Sequence, residues 1–453
     1  MIGRAAWRSG QARRSAAAAV VAAAAVFGFR VVTIPLSLRI AGPEGYGLWL
    51  AAGSLIAWAN LADLGIGAGL VHSVATARAA QNWTAARRHV STAAISFAAL
   101  ALPLAAVAVL AGHSSRILAL LGAAHKPALQ AQAAALVSIA GLAFAASFAL
   151  NWAGPLCAAL QEGYRASAAS AAAGLTTVIC LWTIAGKHVS LTVFALASAI
   201  PPVAGAALLA AGLAAGRHRR IAWPSLGSFH WGSVRTVMGQ GGPLFLVQLS
   251  DIAILNTANL FIAHFQGLAA VVRYSVPLAM FSVVGKICYA ISTAYWPAYA
   301  DAFAREDWGW LRSAARGNLA VAAAVMTLAG ACFVAVGRPL ILWWAGPAAL
   351  PPAGLLPALA FYSLAAACAA ANGSLLNGLG MAPLRARVRV VAAGVHVAGS
   401  WLLLPRLGLV AIPLAGGAAF MLEFAVSAVA ARRHLAGAIR QPVCLVAYAN
   451  ERA

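Results

Sequence analysis

The chain has 453 residues, of which 63% are hydrophobic and only 9% charged, with a net charge of +22 and a mean hydropathy of +0.85. A soluble protein of this length could not cover its core with so little polar surface, so lipid is the solvent that the composition fits. The basic residues lie between apolar stretches, and no isolated basic domain, aromatic-basic stacking pattern or zinc spacing accompanies them; this argues against nucleic acid as a partner and for anionic membrane lipid.

Apolar runs of about 20 residues cross a ~30 Å hydrocarbon core as helix. Read in chain order they predict spans near Ser15–Leu38, Tyr46–Val71, Val90–Ala111, Ala131–Asn151, Ala166–Ala185 and Leu191–Leu213. A second set follows near Pro243–Phe265, Tyr274–Tyr299, Asn318–Val336, Leu355–Ser374, Val388–Leu404 and Leu409–Val429. Arg4, Arg8, Arg13 and Arg14 precede the first run as they would in a signal peptide, but the run continues to Leu38 and other spans follow. Five cysteines lie in or beside apolar runs and Cys444 in the tail; none forms a metal or disulfide pattern, so they read as small buried side chains.

An even number of spans places both termini on one side. With that side inside, twenty-two of the Lys and Arg residues fall in cytoplasmic segments and six (Arg39, Arg116, Lys126, Lys187, Arg338, Arg406) in outer loops. Positive residues are retained on the cytoplasmic side, so both termini are predicted there.

Residues 215–237, with Arg217, Arg219 and Arg220, form the longest cytoplasmic connection. They divide a six-helix half over 1–214 from another over 238–431, which a polar tail over 432–453 follows. A faint repeat accompanies the division: ARAAQNWTAARR from Ala77 follows the second span and AREDWGWLRSAAR from Ala304 the eighth, with Trp83 and Arg87 spaced as Trp308 and Arg312. Either the chain is a parallel duplication with a substrate path between its halves, or two interfacial loops have each collected Trp and Arg.

The stretch IPLSLRIAGPEGYGLWLAAGSLIAWANLADLGIGAGLVHSVATARAAQ, Ile34 to Gln81, resembles the N-terminal signature of the polysaccharide flippases of the multidrug/oligosaccharidyl-lipid/polysaccharide exporter superfamily. The matching positions are Gly42, Pro43, Gly45 to Trp49, and Asp63 to Gly67. Tyr274 to Trp308 is similar to the family's eighth helix and its exit, and Leu375 to Gly417 to its tenth-to-twelfth-helix region, with a Pro-Arg-x-Gly turn at Pro405 to Gly408. Spans three to six match only in hydropathy.

The resemblance implies an all-α polytopic membrane protein of about twelve transmembrane helices in two pseudo-symmetric six-helix bundles around a central cavity. It also implies a function: moving a polyprenyl-diphosphate-linked oligosaccharide from the inner to the outer leaflet of the bacterial inner membrane, beside polysaccharide polymerase and assembly proteins. Stopping at twelve spans favours the O-antigen or exopolysaccharide branch over the peptidoglycan-precursor branch. Two rivals stand beside this: a cation-coupled multidrug antiporter on the same fold, and a non-transporting scaffold of a polysaccharide-assembly complex.

No catalytic, metal or cofactor constellation is visible, so an enzyme is not expected. A charge near the bilayer centre costs ~2.5–3.5 kcal/mol and must face protein or water, so each one marks a candidate site. Arg30, Asp63, Asp251, Lys286 and Glu423 fall at such depths, with Arg273 nearer the outer edge. Asp251 and Lys286 form either a binding site or a neutralising pair. Gln248, Asp251, Asn256 and Asn259 share a helical face that either lines a cavity or joins helices by hydrogen bonds. Asn60 is counted with the cavity residues. Related flippases carry an arginine on the first helix, which suits Arg30 to a diphosphate; the alternative is snorkelling to the interface. Asp63, Glu423 and Arg273 are assigned to gating or coupling, with structural roles as alternatives.

Overall fold

The computed structural model describes the backbone of residues 2–122, 127–233 and 242–440, and their side chains except at 2–27, 30, 127–129, 226, 242–245 and 438–440. Every regular element among these residues is helical.

Helix α1 (Ile2–Ala57) bends at Gly42, where φ is 66°. A 3-10 segment (Trp58–Asp63) separates it from α2 (Ile66–Ala79). There follow α3 (Trp83–His113), α4 (Ser115–Leu120), α5 (Pro127–Ala149), α6 (Ala153–Ala159), α7 (Gly163–Ile184) and α8 (Leu191–Ala215). The connection after α8 carries a short helix, α9 (Arg219–Ala222), a 3-10 turn (Leu226–Ser228) and a further helical stretch at 231–233. The remainder is α10 (Gly242–Gln266), α11 (Leu268–Ala304), α12 (Trp308–Ala345), α13 (Leu355–Gly378), α14 (Ala382–Leu407) and α15 (Ala411–Arg440).

Among the described residues nine helices are long and apolar enough to cross a membrane, and ten with a bent pair at 31–79 counted. The stretch Ala382–Gly437 runs through the break at Gly408 and holds two passes, α14 and α15. The bent pair joins the end of the first pass to the whole of the second. Twelve passes result, where hydropathy places them.

Two compact units divide the chain. One comprises Met1–Arg273 with Trp343–Ala349, the other Tyr274–Leu342 with Leu350–Ala453. In the first unit α2, α3, α6 and α8 bury a cluster around Leu70, Phe97, Phe148 and Leu156, with the Phe97 and Phe148 rings edge-on at 5.2 Å. In the second, Tyr299, Leu311 and Leu376 form the corresponding core between α11, α12 and α13. Both cores use small residues and aromatics, as helices must when lipid outside is as apolar as the interior and close packing alone draws them together.

The repeat legible at Trp83 and Trp308 is a repeat of backbone. Gln81 N–H donates to Arg78 O at 3.0 Å and Asn82 N–H to Ala77 O at 2.8 Å, with Gln81 at φ 55°: a Schellman turn closing α2. Asn82 Oδ1 then accepts from Ala85 N–H at 2.9 Å and opens α3. In the second unit Glu306 N–H donates to Phe303 O at 3.2 Å and Asp307 N–H to Ala302 O at 2.9 Å, with Glu306 at φ 58°. Asp307 Oδ1 accepts from Trp310 N–H at 3.0 Å and opens α12. A second such pair closes α6 and α13: Glu162 N–H to Cys157 O at 2.7 Å, and Met381 N–H to Leu376 O at 2.9 Å.

Candidate functional site

The two stretches that carry the N-terminal signature have distinct physical duties in the first unit. At Gly45 to Trp49, a Cβ added to Gly47 would lie 2.0 Å from Leu268 O, so only glycine lets α1 pass this close to the start of α11. Beside it Leu48 is fully buried and the Trp49 ring meets Phe194 of α8 edge-on at 5.7 Å. At Asp63 to Gly67 the chain breaks: Leu64 and Gly65 have φ of 47° and 80°. Asp63 Oδ1 accepts from Gly67 N–H at 2.9 Å, giving one orphan donor at the head of α2 a partner. Asp63 thus sits midway along the second pass, at a bend of 40°. Asn60 is exposed in the same break, its Nδ2 donating to Ala57 O at 3.1 Å.

Beside this broken pass α1, α5, α6, α7 and α8 enclose a cavity of ≈ 680 Å³. Among the described residues its polar lining is neutral: Thr33, Ser147, Asn151, Ser170, Thr177 and Ser198. A smaller apolar recess of ≈ 220 Å³ beside Trp49 shares Ser147, Ser198 and Pro202 with it. The pair of spaces offers hydroxyls and an amide next to hydrocarbon, an arrangement suited to an amphipathic guest. Arg30 belongs to α1, near Phe29 and Thr33 of this lining, but its side chain lies outside the described residues.

On α10, Gln248, Asp251, Asn256 and Asn259 are all half-buried. Asn259 Nδ2 donates to Ser54 Oγ at 2.9 Å, joining α10 to α1, while Asn256 Nδ2 donates to Ile252 O of its own helix at 3.3 Å. Asp251 belongs to the first unit and Lys286, exposed on α11, to the second. Arg273 is exposed on α11.

In the second unit Glu423 is 3% exposed and its Oε2 accepts from Arg389 Nη1 at 2.6 Å. The Arg389 guanidinium also stands 4.7 Å from the centre of the Phe420 ring. The charge count assigns Arg389 to the cytoplasmic side, at the inner end of the span read from Val388; α14 begins six residues earlier, at Ala382, and places Arg389 beside this carboxylate.

A charged cluster that the search for mid-depth charges passes over lies between α6 and α7. Glu162, only 2% exposed, is met by Arg165 Nε at 3.1 Å, by His218 Nε2 at 3.1 Å and by Arg217 Nη2. Arg78 Nη1 donates to Leu160 O, two residues earlier, at 2.9 Å. Burial pushes the His218 imidazole below its usual pKa, and Arg217, Arg165 and Arg78 add to the depression. One signal was available: Glu162 is the sole carboxylate between Asp63 and Asp251.

No protein-family description matches the sequence, and no curated protein is similar to it. Solved structures are. An inward-facing multidrug resistance MATE family transporter of the MOP superfamily superposes with a TM-score of 0.79 at 13% identity, over 92% of this chain and 96% of that one. An outward-facing structure of a multidrug resistance MATE family transporter gives 0.65 at 13% identity, over 95% and 97%. A eukaryotic MATE transporter gives 0.66 at 14% identity, over 94% and 99%. With its twelve passes, the chain therefore has the all-α, two-bundle fold of the MATE transporters.

Proposed function

We propose that this chain is a membrane transporter that exports amphipathic molecules in exchange for a cation. The observation that carries the reading is the likeness to a multidrug resistance transporter over nearly the full length of both chains. The hydroxyl- and amide-lined cavity and the apolar recess of the first unit support it, since they offer hydrogen bonds beside hydrocarbon without selecting one rigid solute. The coupling carboxylate is sought among Asp63, Asp251 and Glu423.

A second reading, the flipping of a polyprenyl-diphosphate-linked oligosaccharide beside polymerase and assembly proteins, is favoured by the wording of Gly45 to Trp49 and Asp63 to Gly67 and by the excess of arginine. Both readings place the chain in the inner membrane with its termini in the cytoplasm, in accord with the charge distribution.

One depletion strain separates them. Exporter function requires heightened sensitivity to lipophilic cations with surface polysaccharide intact. Loss of one surface polymer, with its oligosaccharide unit stranded on the lipid carrier and drug sensitivity unchanged, would replace the exporter reading with the flippase reading.

A further inference from the structure

The duplicated turns make the two units comparable position by position: Trp83, Arg87 and Ser91 on α3 correspond to Trp308, Arg312 and Arg316 on α12. In the first unit the groove between the start of α3 and the end of α8 is filled. Ile221 and Ala222 of α9, 4% and 0% exposed, pack against Ala86, Val90, Ala210 and Leu213, and Ser225 N–H donates to Ser91 Oγ at 3.2 Å.

Among the described residues the corresponding groove of the second unit, between the start of α12 and the end of α15, is open. It forms a cleft of ≈ 410 Å³ whose rim carries Arg312, Arg316 and Arg432 and whose wall includes Asn372, Phe424 and Leu435. Where the first unit has Ser91, the second has Arg316.

The three arginines form no ion pair among the described residues. Three carboxylates of the second unit are engaged elsewhere: Asp301 with Arg305 at 3.0 Å, Asp307 with Trp310 N–H at 3.0 Å, Glu423 with Arg389 at 2.6 Å; Glu306 is exposed and forms no ion pair among the described residues. A buried donor points the same way: Asn372 Nδ2, in the wall of the cleft, is buried without a hydrogen-bond partner. A buried donor left unsatisfied costs ~1–3 kcal/mol, which an acceptor in the cleft would recover.

We propose that this cleft binds the phosphate of an anionic lipid head group, with the arginines holding the oxygens and the Phe424 and Leu435 wall receiving the start of the acyl region. Guanidinium forks match phosphate oxygens in geometry and charge. Basic pockets between membrane-spanning helices are suited to such head groups. The apolar wall favours a lipid-borne phosphate over a free one. The assignment stands whichever molecule the chain transports.

The test uses the full-length purified protein in neutral detergent, titrated with a short-chain phosphatidylglycerol, with the matching phosphatidylcholine and with inorganic phosphate, while bound lipid is read by native mass spectrometry. Phosphatidylglycerol is expected to bind at least tenfold more tightly than phosphatidylcholine. Arg312→Ala combined with Arg316→Ala should remove that preference, whereas Arg88→Ala on α3 should leave it intact. Phe424→Ala should weaken the lipid while leaving the response to phosphate unchanged. Equal binding of the two lipids by the unaltered protein would overturn the proposal without reference to any variant. Inorganic phosphate binding as tightly as phosphatidylglycerol, or an unchanged preference in the double variant, would overturn it as well. Drug sensitivity and surface polymer report separately on transport.

Discussion

Arg389 and Glu423 face each other from successive passes of the second unit, α14 and α15, at 2.6 Å and with side-chain exposures of 15% and 3%. A buried charge stripped of its partner costs ~3–5 kcal/mol, whereas replacing both partners by apolar residues is often neutral. Arg389→Leu alone is therefore expected to lower the thermal midpoint of the purified protein, and Arg389→Leu with Glu423→Leu to restore most of it. A double variant as unstable as the single one would show that these residues serve more than each other.

Gly47 predicts a steric threshold. With Leu268 O only 2.0 Å from an added Cβ, Gly47→Ala must push α1 and the start of α11 apart, at a cost of ~1–3 kcal/mol. Gly394→Ala, which meets nothing within 4 Å, should be silent. Midpoints of thermal aggregation for the two variants, measured side by side, check the difference.

The Glu162 cluster predicts an acid-sensitive connection. In the folded protein the His218 imidazole is held below its usual value of 6.5 by burial and by three arginines, so folding favours the neutral ring. The contribution is present above about pH 6.5 and is lost as pH falls from there through the depressed folded value. His218→Gln should flatten stability across that window. Glu162→Gln should lower stability near neutral pH by ~2 kcal/mol, because the arginines lose the carboxylate they share. A His218→Gln protein with the unaltered acid profile would remove His218 from the account.

Arg30 is tested through transport. If it holds an anionic part of the substrate, Arg30→Ala should abolish export at normal protein abundance, and Arg30→Lys should rescue it only in part, since an ammonium keeps the charge and loses the fork. Wild-type export from a stably inserted Arg30→Ala protein would refute that role.

The orientation is checked by reporter fusions. Fusions within 77–88 and 216–235 and after Gly437 should report the cytoplasm; those at 42–44 and 113–122 should report the opposite side. A fusion after Gly437 on the outer side would break the even-span topology.

Hydropathy carried the passes because a helix in lipid must be apolar for its whole crossing, and the twelve runs are long enough to show it. It carried no record of backbone dihedrals. The run Tyr46–Val71 reads as continuous, yet the chain breaks at Trp58–Asp63 because Leu64 and Gly65 are left-handed. The duplication was legible where it left side chains, at Trp83 and Trp308; its hydrogen-bonded turns at Gln161 and Gly380 left none. Looking for charge at mid-depth found Glu423 and missed Glu162, whose burial comes from the packing of connections that hydropathy treats as solvent.

The break in the second pass leaves two stubs where one rod would be expected. The later stub, α2, has 14 residues and is about 21 Å long at 1.5 Å per residue, short of the ~30 Å that hydrocarbon demands. Neither stub can act as an anchor by itself; they cross only as a jointed strut. At the joint the regular helical pairing of amides and carbonyls is interrupted, and the Asp63 carboxylate answers for one of the amides. The others require protein or water at that depth, so the joint marks a stretch of the first unit from which acyl chains are kept away.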